Sequence, residues 1–183
     1  MSSFLRVFVP AGALALFLCG GCGGGGGSAT ERAFQKVFAD EAGQKAAIEN
    51  LAKKGVEFVK PALKSKIANV RIGALEALAL IKEGDEGREA TKLLIEATKG
   101  ADINDVGFAI ISLGRQRAPE AKDLIVGFFN GPNPRLRLAA CMAIGEYGDR
   151  SLYPLLDKAA YDENENVRQA ASRVKQRFGI GGN

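Results

Sequence analysis

The residues with the most chemical potential in this 183-residue sequence are three cysteines, because histidine is absent. Without histidine the chain lacks the commonest general base and the commonest protein metal ligand. Cys141 has neither a histidine for a cysteine–histidine nucleophile pair nor a neighbouring cysteine for a zinc site. We therefore predict no catalytic residue, no metal site and no cofactor, and we interpret Cys141 as a small residue in or near the core.

Charged residues make up 25% of the chain and give it a net charge of +4. This mild charge is spread along the sequence, which argues against nucleic-acid binding. The acidic run at residues 162–166 is rich in oxygen ligands, but it lacks the glycine and the spacing of a calcium-binding EF-hand loop. We expect these side chains to be solvated or to cap a helix.

The other two cysteines follow an apolar segment at the N-terminus. Residues 1–6 carry one positive charge and residues 7–18 are mostly apolar, as in a secretory signal. The apolar run is shorter than the roughly 20 residues that span a bilayer. Gly20-Gly21-Cys22 resembles the lipobox of bacterial lipoproteins, although Cys19 stands where that motif usually has leucine. The alternatives are an ordinary secreted protein or a Cys19–Cys22 disulfide.

The lipobox resemblance implies a signal peptide over residues 1–21 and acylation of Cys22. Residues 23–28 are five glycines and a serine, which form a flexible tether. We therefore expect an acylated cysteine and tether over 22–29 and a folded domain over 30–183. Because Gly23 rather than aspartate follows the cysteine, the resemblance to Gram-negative lipoproteins implies the periplasmic face of the outer membrane.

The remainder of the chain contains an internal repeat with a helical pattern. An aliphatic residue and an arginine precede small residues three and four positions later in three segments, which begin at Val70-Arg71, Leu136-Arg137 and Val167-Arg168. The step from Arg137 to Arg168 equals the step from Leu113-Gly114 to Ile144-Gly145, and we call this step the repeat period. A degenerate copy with Val106-Gly107 lies between the first two segments. Such self-similarity is the signature of stacked helical hairpins, in which each hairpin buries the open apolar face of the next.

The spacing also predicts where the helices end and where the repeat lengthens. The step from Leu78 to Leu113 is longer than the repeat period, so we expect an insertion around 83–87 or 100–104. Gly145 and Gly148 are expected to end a helix, because glycine tolerates the left-handed conformation. The last helix, 167–178, is polar around a narrow apolar stripe and is expected to close the stack.

The valine–arginine pairs and the string Ala-Ile-Gly-Glu-Tyr-Gly-Asp at 143–149 resemble HEAT-like repeats of the short, phycobilisome-lyase type. The resemblance covers roughly residues 44–178. It implies an all-α fold, a right-handed α-solenoid of about four to five helical hairpins, with the second helix of each hairpin on the concave face.

Two groups of candidate residues follow from this arrangement. The repeated Arg71, Arg137 and Arg168 are interpreted as structural residues that bridge neighbouring repeats; the alternative is a row of arginines for anionic ligands. One of Phe128 and Phe129 is expected in the core, and the other is a candidate exposed anchor; the alternative is that both are buried. The candidate partner-binding residues on and around the second helices are Arg88, Lys92, Glu96, Glu120, Asp123, Phe129, Arg150, Asp157 and Lys158.

The sequence therefore predicts a non-enzymatic scaffold in the bacterial cell envelope, held to a membrane by a lipid anchor, that binds a protein partner through its helical-repeat surface. The alternative is a phycobilisome-lyase-like enzyme or a repeat protein that handles a pigment or other ligand. Repeat resemblance alone does not carry function between proteins, and export argues against that cytoplasmic chemistry.

Overall fold

The computed structural model describes residues 28–37 and 43–181, and this part of the chain contains ten α-helices and no β-strand. The predicted signal peptide, Cys22 and nearly all of the predicted tether therefore lie outside the described residues. The α-helices are α1 (Ala29–Val37), α2 (Gln44–Ala52), α3 (Val56–Val59), α4 (Ala68–Leu78), α5 (Gly84–Ala97), α6 (Ile103–Gln116), α7 (Ala121–Phe129), α8 (Pro134–Tyr147), α9 (Tyr153–Ala159) and α10 (Glu165–Phe178). Two short 3-10 helices, Lys60–Lys64 and Arg150–Leu152, lead out of α3 and into α9.

The helices form a stack of hairpins. The first helices α4, α6, α8 and α10 pack against one another in chain order, and the second helices α5, α7 and α9 each pack against the next first helix. An earlier hairpin of α2 and α3 precedes them, and α1 packs against α2 and α4. The described hairpins confirm the predicted all-α solenoid, and one continuous core runs from Phe34 to Val174.

The N-termini of three first helices carry side-chain caps that recur at the repeat period. Asp102 accepts hydrogen bonds from the backbone N–H groups of Asn104 and Asp105. Asn133 and Asn164 each accept, through Oδ1, a hydrogen bond from the backbone N–H of the second residue after them, at 2.9 and 3.0 Å. Such caps satisfy backbone donors that have no partner inside the helix, and they fix where each repeat begins.

The C-termini of the same helices follow the same spacing. Arg117, Gly148 and Gly179 each occupy the left-handed region, with φ of 60°, 74° and 64°. Arg117 is the only non-glycine residue with positive φ among the described residues. The sequence identified Gly148 as a helix end correctly, but it gave no sign that an arginine takes the same conformation one repeat earlier.

The prediction that Gly145 helps to end its helix is wrong. Gly145 lies inside α8 and is buried against α10: a Cβ atom there would lie 2.6 Å from Cγ1 of Val174 and 2.7 Å from the Phe178 ring. Its counterpart Gly114, in α6, lies against the backbone of Ala143 in α8. These glycines therefore allow neighbouring first helices to approach closely.

The register of the degenerate third copy also differs from the prediction. Arg71, Arg137 and Arg168 each lie four residues after the N-cap of their helix, and the residue at that position of α6 is Val106, not Gly107. Asp105 then occupies the position of the aliphatic residue. The third copy thus replaces an aliphatic–arginine pair with an aspartate–valine pair.

The extra residues of the second repeat lie at the start of α5. Leu94, Ile125 and Leu156 are fully buried and follow one another at the repeat period, so the added length precedes them. The helix α5 begins at Gly84, within the predicted insertion around 83–87. At the other end of the stack, α10 buries a narrow apolar stripe and exposes a polar face, as predicted for a terminal helix.

Candidate partner-binding surface

Arg71 links the second repeat to the third. Its Nε donates to Oδ2 of Asp105 at 2.5 Å and its Nη2 donates to Oδ2 of Asp102 at 2.9 Å, both at the start of α6. Its Nη1 donates to the carbonyl oxygen of Ser65, six residues earlier. Asp105 stands where the other copies have an aliphatic residue, and it thus supplies a carboxylate to Arg71.

Arg137 makes a denser set of contacts with the loop before α10. Its Nε and Nη2 donate to the two carboxylate oxygens of Asp162, each at 2.9 Å, and Nη2 also reaches Glu163 at 3.0 Å. Its Nη1 donates to the carbonyl oxygens of Gly131 and Pro132. Arg137 is only 8% exposed, and its hydrogen bond holds the pKa of Asp162 below the usual range.

Arg168 keeps the contact that the three arginines share. Its Nη1 donates at 2.7 Å to the carbonyl oxygen of Asp162, again six residues earlier. All three arginines therefore hold the loop before their own helix, and the two inner ones also bind carboxylates of the next repeat. This geometry suits architectural residues, and at Arg71 and Arg137 it commits all three guanidinium nitrogens.

Two further inter-repeat hydrogen bonds involve the turn at residues 115–117, which contains two arginines. Nζ of Lys82 donates to the carbonyl oxygen of Arg115 at 2.9 Å, and Nε of Arg117 donates to the carbonyl oxygen of Glu146 at 3.1 Å. Lys82 and Arg117 each follow a first helix and donate to a carbonyl oxygen at the C-terminus of the next first helix, where cations are favoured. Gly148, one repeat later, has no side chain to continue the series.

Charges near the ends of the first helices alternate in sign from repeat to repeat. Arg115 lies 3.8 Å and Arg177 lies 3.3 Å from Oε1 of Glu146, which they flank from both sides. Glu76 is 7% exposed on α4, and burial raises the pKa of its carboxyl against the opposing effect of Arg115. These charges join neighbouring repeats.

The second helices expose a stripe that these links do not use. Its charged members are exposed and lie on α5, α7 and α9: Lys92, Glu96, Asp123 and Lys158. Beside them, three half-buried leucines recur at the repeat period: Leu93, Leu124 and Leu155. We call these seven residues the second-helix stripe. An apolar row with charged residues beside it matches the apolar core and polar rim of protein interfaces.

The other predicted contact residues have different surroundings. Arg88 pairs with Asp85 on its own helix. Asp157 forms an ion pair with Lys175 of α10 at 2.5 Å, so it joins the stack to its last helix. Glu120 and Arg150 are exposed at the start of the second helices, at the edge of the stripe.

Phe129 was predicted as a candidate exposed anchor, and the structure contradicts this. Phe129 is 4% exposed and packs in the core, whereas Phe128 is half-buried. The sequence analysis did not identify Tyr161, an aromatic side chain whose exposed fraction is 89%. Tyr161 lies in the loop between α9 and α10, where no helical period could indicate its orientation.

The thiol of Cys141 is poorly reactive. Cys141 is fully buried on α8, and burial raises the pKa of its thiol to about 12, so the nucleophilic thiolate is disfavoured at neutral pH. Among residues 28–37 and 43–181, no cluster of three or more histidine, cysteine or acidic side chains has the geometry to hold a metal ion. None of the described helices has the length and apolar character to cross a membrane.

Comparison with known proteins identifies the repeat. Residues 90–174 match the HEAT repeats family. The match runs from within α5 into α10 and covers just under half of the chain, so the helical stack is HEAT-like in both sequence and fold over this range. A search of curated proteins found no significant match. HEAT repeats commonly mediate protein–protein interactions, so their presence indicates protein partners in general.

Proposed function

We propose that this protein is a non-enzymatic scaffold of the bacterial cell envelope. Acylated Cys22 holds it at the periplasmic face of the outer membrane, and the second-helix stripe binds a protein partner. The proposal combines a sequence feature, the lipobox-like Gly20-Gly21-Cys22, with the surface that the hairpins leave open.

The observation that carries the proposal is a difference between two groups of polar side chains: one group links neighbouring repeats, and the other is exposed and does not. Residues at the ends of the first helices, such as Arg71, Arg137 and Arg117, are committed to links between repeats. Lys92 and Asp123, at corresponding positions of α5 and α7, are exposed and form no such link among the described residues. Charged groups that the fold does not use, beside a row of leucines, are available to a partner.

The anchor is tested by fractionating cells that express the full chain or its Cys22→Ser variant. The wild-type protein is expected in the outer-membrane fraction with an N-terminal mass that includes the acyl chains. The variant is expected to lose the acyl chains and to leave that fraction. An unmodified Cys22 in the wild-type protein contradicts the anchor.

Partner binding is tested by cross-linking intact cells and purifying the tagged protein. Charge reversal at two stripe positions, Lys92→Glu with Asp123→Lys, is expected to abolish a specific cross-linked band. The matched control is Lys45→Glu, an exposed lysine on α2 outside the stripe. If the purified protein instead modifies a pigment or another small molecule, the scaffold proposal fails in favour of the enzyme alternative.

A further inference from the structure

A cavity of about 450 Å³ lies beside the last complete hairpin, where the loop after α7 meets the loop after α9. This volume falls within the range of small-ligand and side-chain pockets. Helices α7, α8 and α9 and the two loops line it, with side chains that include Phe129, Arg137, Lys158, Ala159, Tyr161 and Asp162.

The repeat alignment shows which side chains differ beside this cavity. Ala159 occupies the position of Phe128 one repeat period later and of Ala97 in α5. By the same spacing, Lys158 replaces Gly127 and Tyr161 replaces Asn130. Relative to the preceding repeat, the last hairpin has therefore gained a cation and an aromatic ring at the cavity.

The two cations of the cavity differ in their remaining donor capacity. All five N–H groups of the Arg137 guanidinium are taken up by Asp162, Glu163 and two loop carbonyls. Nζ of Lys158 has three donors and makes one hydrogen bond, to Oδ1 of Asn130 at 3.3 Å, while it lies 5.9 Å from the centre of the Phe129 ring. Lys158 is thus the group that can still bind an anion.

The accessible apolar surface of the cavity is the Tyr161 ring. Ala159 is 1% exposed and lies beneath the surface, whereas Tyr161 is 89% exposed, so the tyrosine ring stands at the rim, uncovered by the described part of the chain. Exposed tyrosines are frequent anchors of protein interfaces, since they offer a large, rigid apolar surface with a polar end.

We propose that this cavity binds a segment of the protein partner in which an apolar side chain, best an aromatic one, stands next to a carboxylate. The apolar side chain contacts the Tyr161 ring at the rim of the cavity, and the carboxylate pairs with Lys158. The proposal rests on the proposed function, and it adds a defined site and a partner chemistry at Lys158, the residue that the cavity shares with the second-helix stripe.

The test uses two peptides and amide chemical-shift mapping on the purified protein. Gly-Ser-Phe-Asp-Ser-Gly is expected to shift the amide signals of Lys158, Ala159 and Tyr161, and Gly-Ser-Phe-Lys-Ser-Gly is expected to bind at least roughly tenfold more weakly. The Lys158→Glu variant is expected to reverse this preference. Tyr161→Ala is expected to weaken binding of the acidic peptide by roughly tenfold.

Variants at exposed positions separate the cavity from other surfaces. Tyr161→Ala and Lys158→Glu change exposed side chains of the cavity and leave its buried lining unchanged. Lys92→Glu alters the charge of the second-helix stripe away from the cavity and is expected to leave peptide binding unchanged.

Equal binding of the two peptides, no binding of either, or equally strong binding of inorganic phosphate at Lys158 would each overturn this proposal. Peptide-induced shifts at Lys92 and Asp123 instead of the cavity would also overturn it. That last result would leave the proposed function standing, because the partner would then bind through the stripe.

Discussion

The Nε atom of Arg117 donates a hydrogen bond to the main-chain carbonyl oxygen of Glu146 across 3.1 Å, from the end of one first helix to the end of the next. Arg117 makes this contact from the left-handed conformation, at φ 60°. Two further helices of the stack end in glycine at the same position, Gly148 and Gly179. Arg117 thus adopts an unfavourable backbone conformation and also caps the C-terminus of the neighbouring first helix, α8.

Substitution of Arg117 is expected to separate these two effects. Arg117→Ala loses the hydrogen bond and keeps the backbone cost, so the free energy of unfolding should fall by about 1 kcal/mol. Arg117→Gly loses the same bond but relieves the backbone, so its stability should stay close to wild type. Urea unfolding of both variants measures the difference; equal stabilities would contradict the backbone argument.

Two glycines within helices should respond oppositely to alanine. Gly114 faces the backbone of Ala143, so Gly114→Ala should force α6 and α8 apart and destabilise the protein by about 1–3 kcal/mol. Gly127 lies in α7 with nothing within 4 Å of its position for a Cβ atom. Gly127→Ala should raise the free energy of unfolding by about 0.5–1 kcal/mol, since alanine favours the helix. Thermal melts of the pair check the sign of each change.

Arg137 is expected to be the most important of the repeated arginines for stability. Arg137→Gln leaves the Asp162 carboxylate without its bidentate partner and should cost about 3 kcal/mol. Nuclear magnetic resonance titration should also show the pKa of Asp162 rising towards its ordinary value. Arg168→Gln serves as the control, because Arg168 donates to carbonyl oxygens only, and it should cost less. Equal losses from the two variants would refute this ranking.

The pair of Lys122 and Asp149 makes stability depend on pH in the acid range. The Lys122 ammonium, 2.7 Å away, lowers the pKa of Asp149 to about 2 from 3.8. A carboxyl group with a lowered pKa in the folded state stabilises the protein above its unfolded pKa, and this contribution is lost as the pH falls from about 4 towards 2. Asp149→Asn should make the decline of unfolding free energy in this window shallower. An unchanged slope in acid unfolding curves would show that the pair is not coupled to folding.

The hairpin stack was predictable from the sequence because it depends on periodicity. Apolar residues such as Leu113 and Ile144, one repeat period apart, mark the buried face whatever the side chains around them. In the third copy Asp105-Val106 replaces an aliphatic–arginine pair, so pairing Val106 with the aliphatic position was wrong by one residue. The helix N-caps and the step from Leu113 to Ile144 both place Val106 at the position of Arg137.

Features that depend on distance between repeats were not predictable. A glycine such as Gly145 can end a helix or admit a neighbouring one, and the residue type does not distinguish these roles. The burial of Phe129 and the exposure of Tyr161 likewise depend on how two loops meet. The cavity lies where the loop after α7 meets the loop after α9, and the alignment of the repeats gives no sign of that approach.

If the second helices bind a protein partner in the cell envelope, as we propose, a photo-cross-linking amino acid at position 92 or 123 will capture that partner in intact cells. Position 45, on α2, serves as the control. A cross-linked adduct with the same second polypeptide is expected from positions 92 and 123, and none from position 45. Absence of an adduct from both stripe positions, with the protein present in the envelope at its normal level, would contradict this proposal.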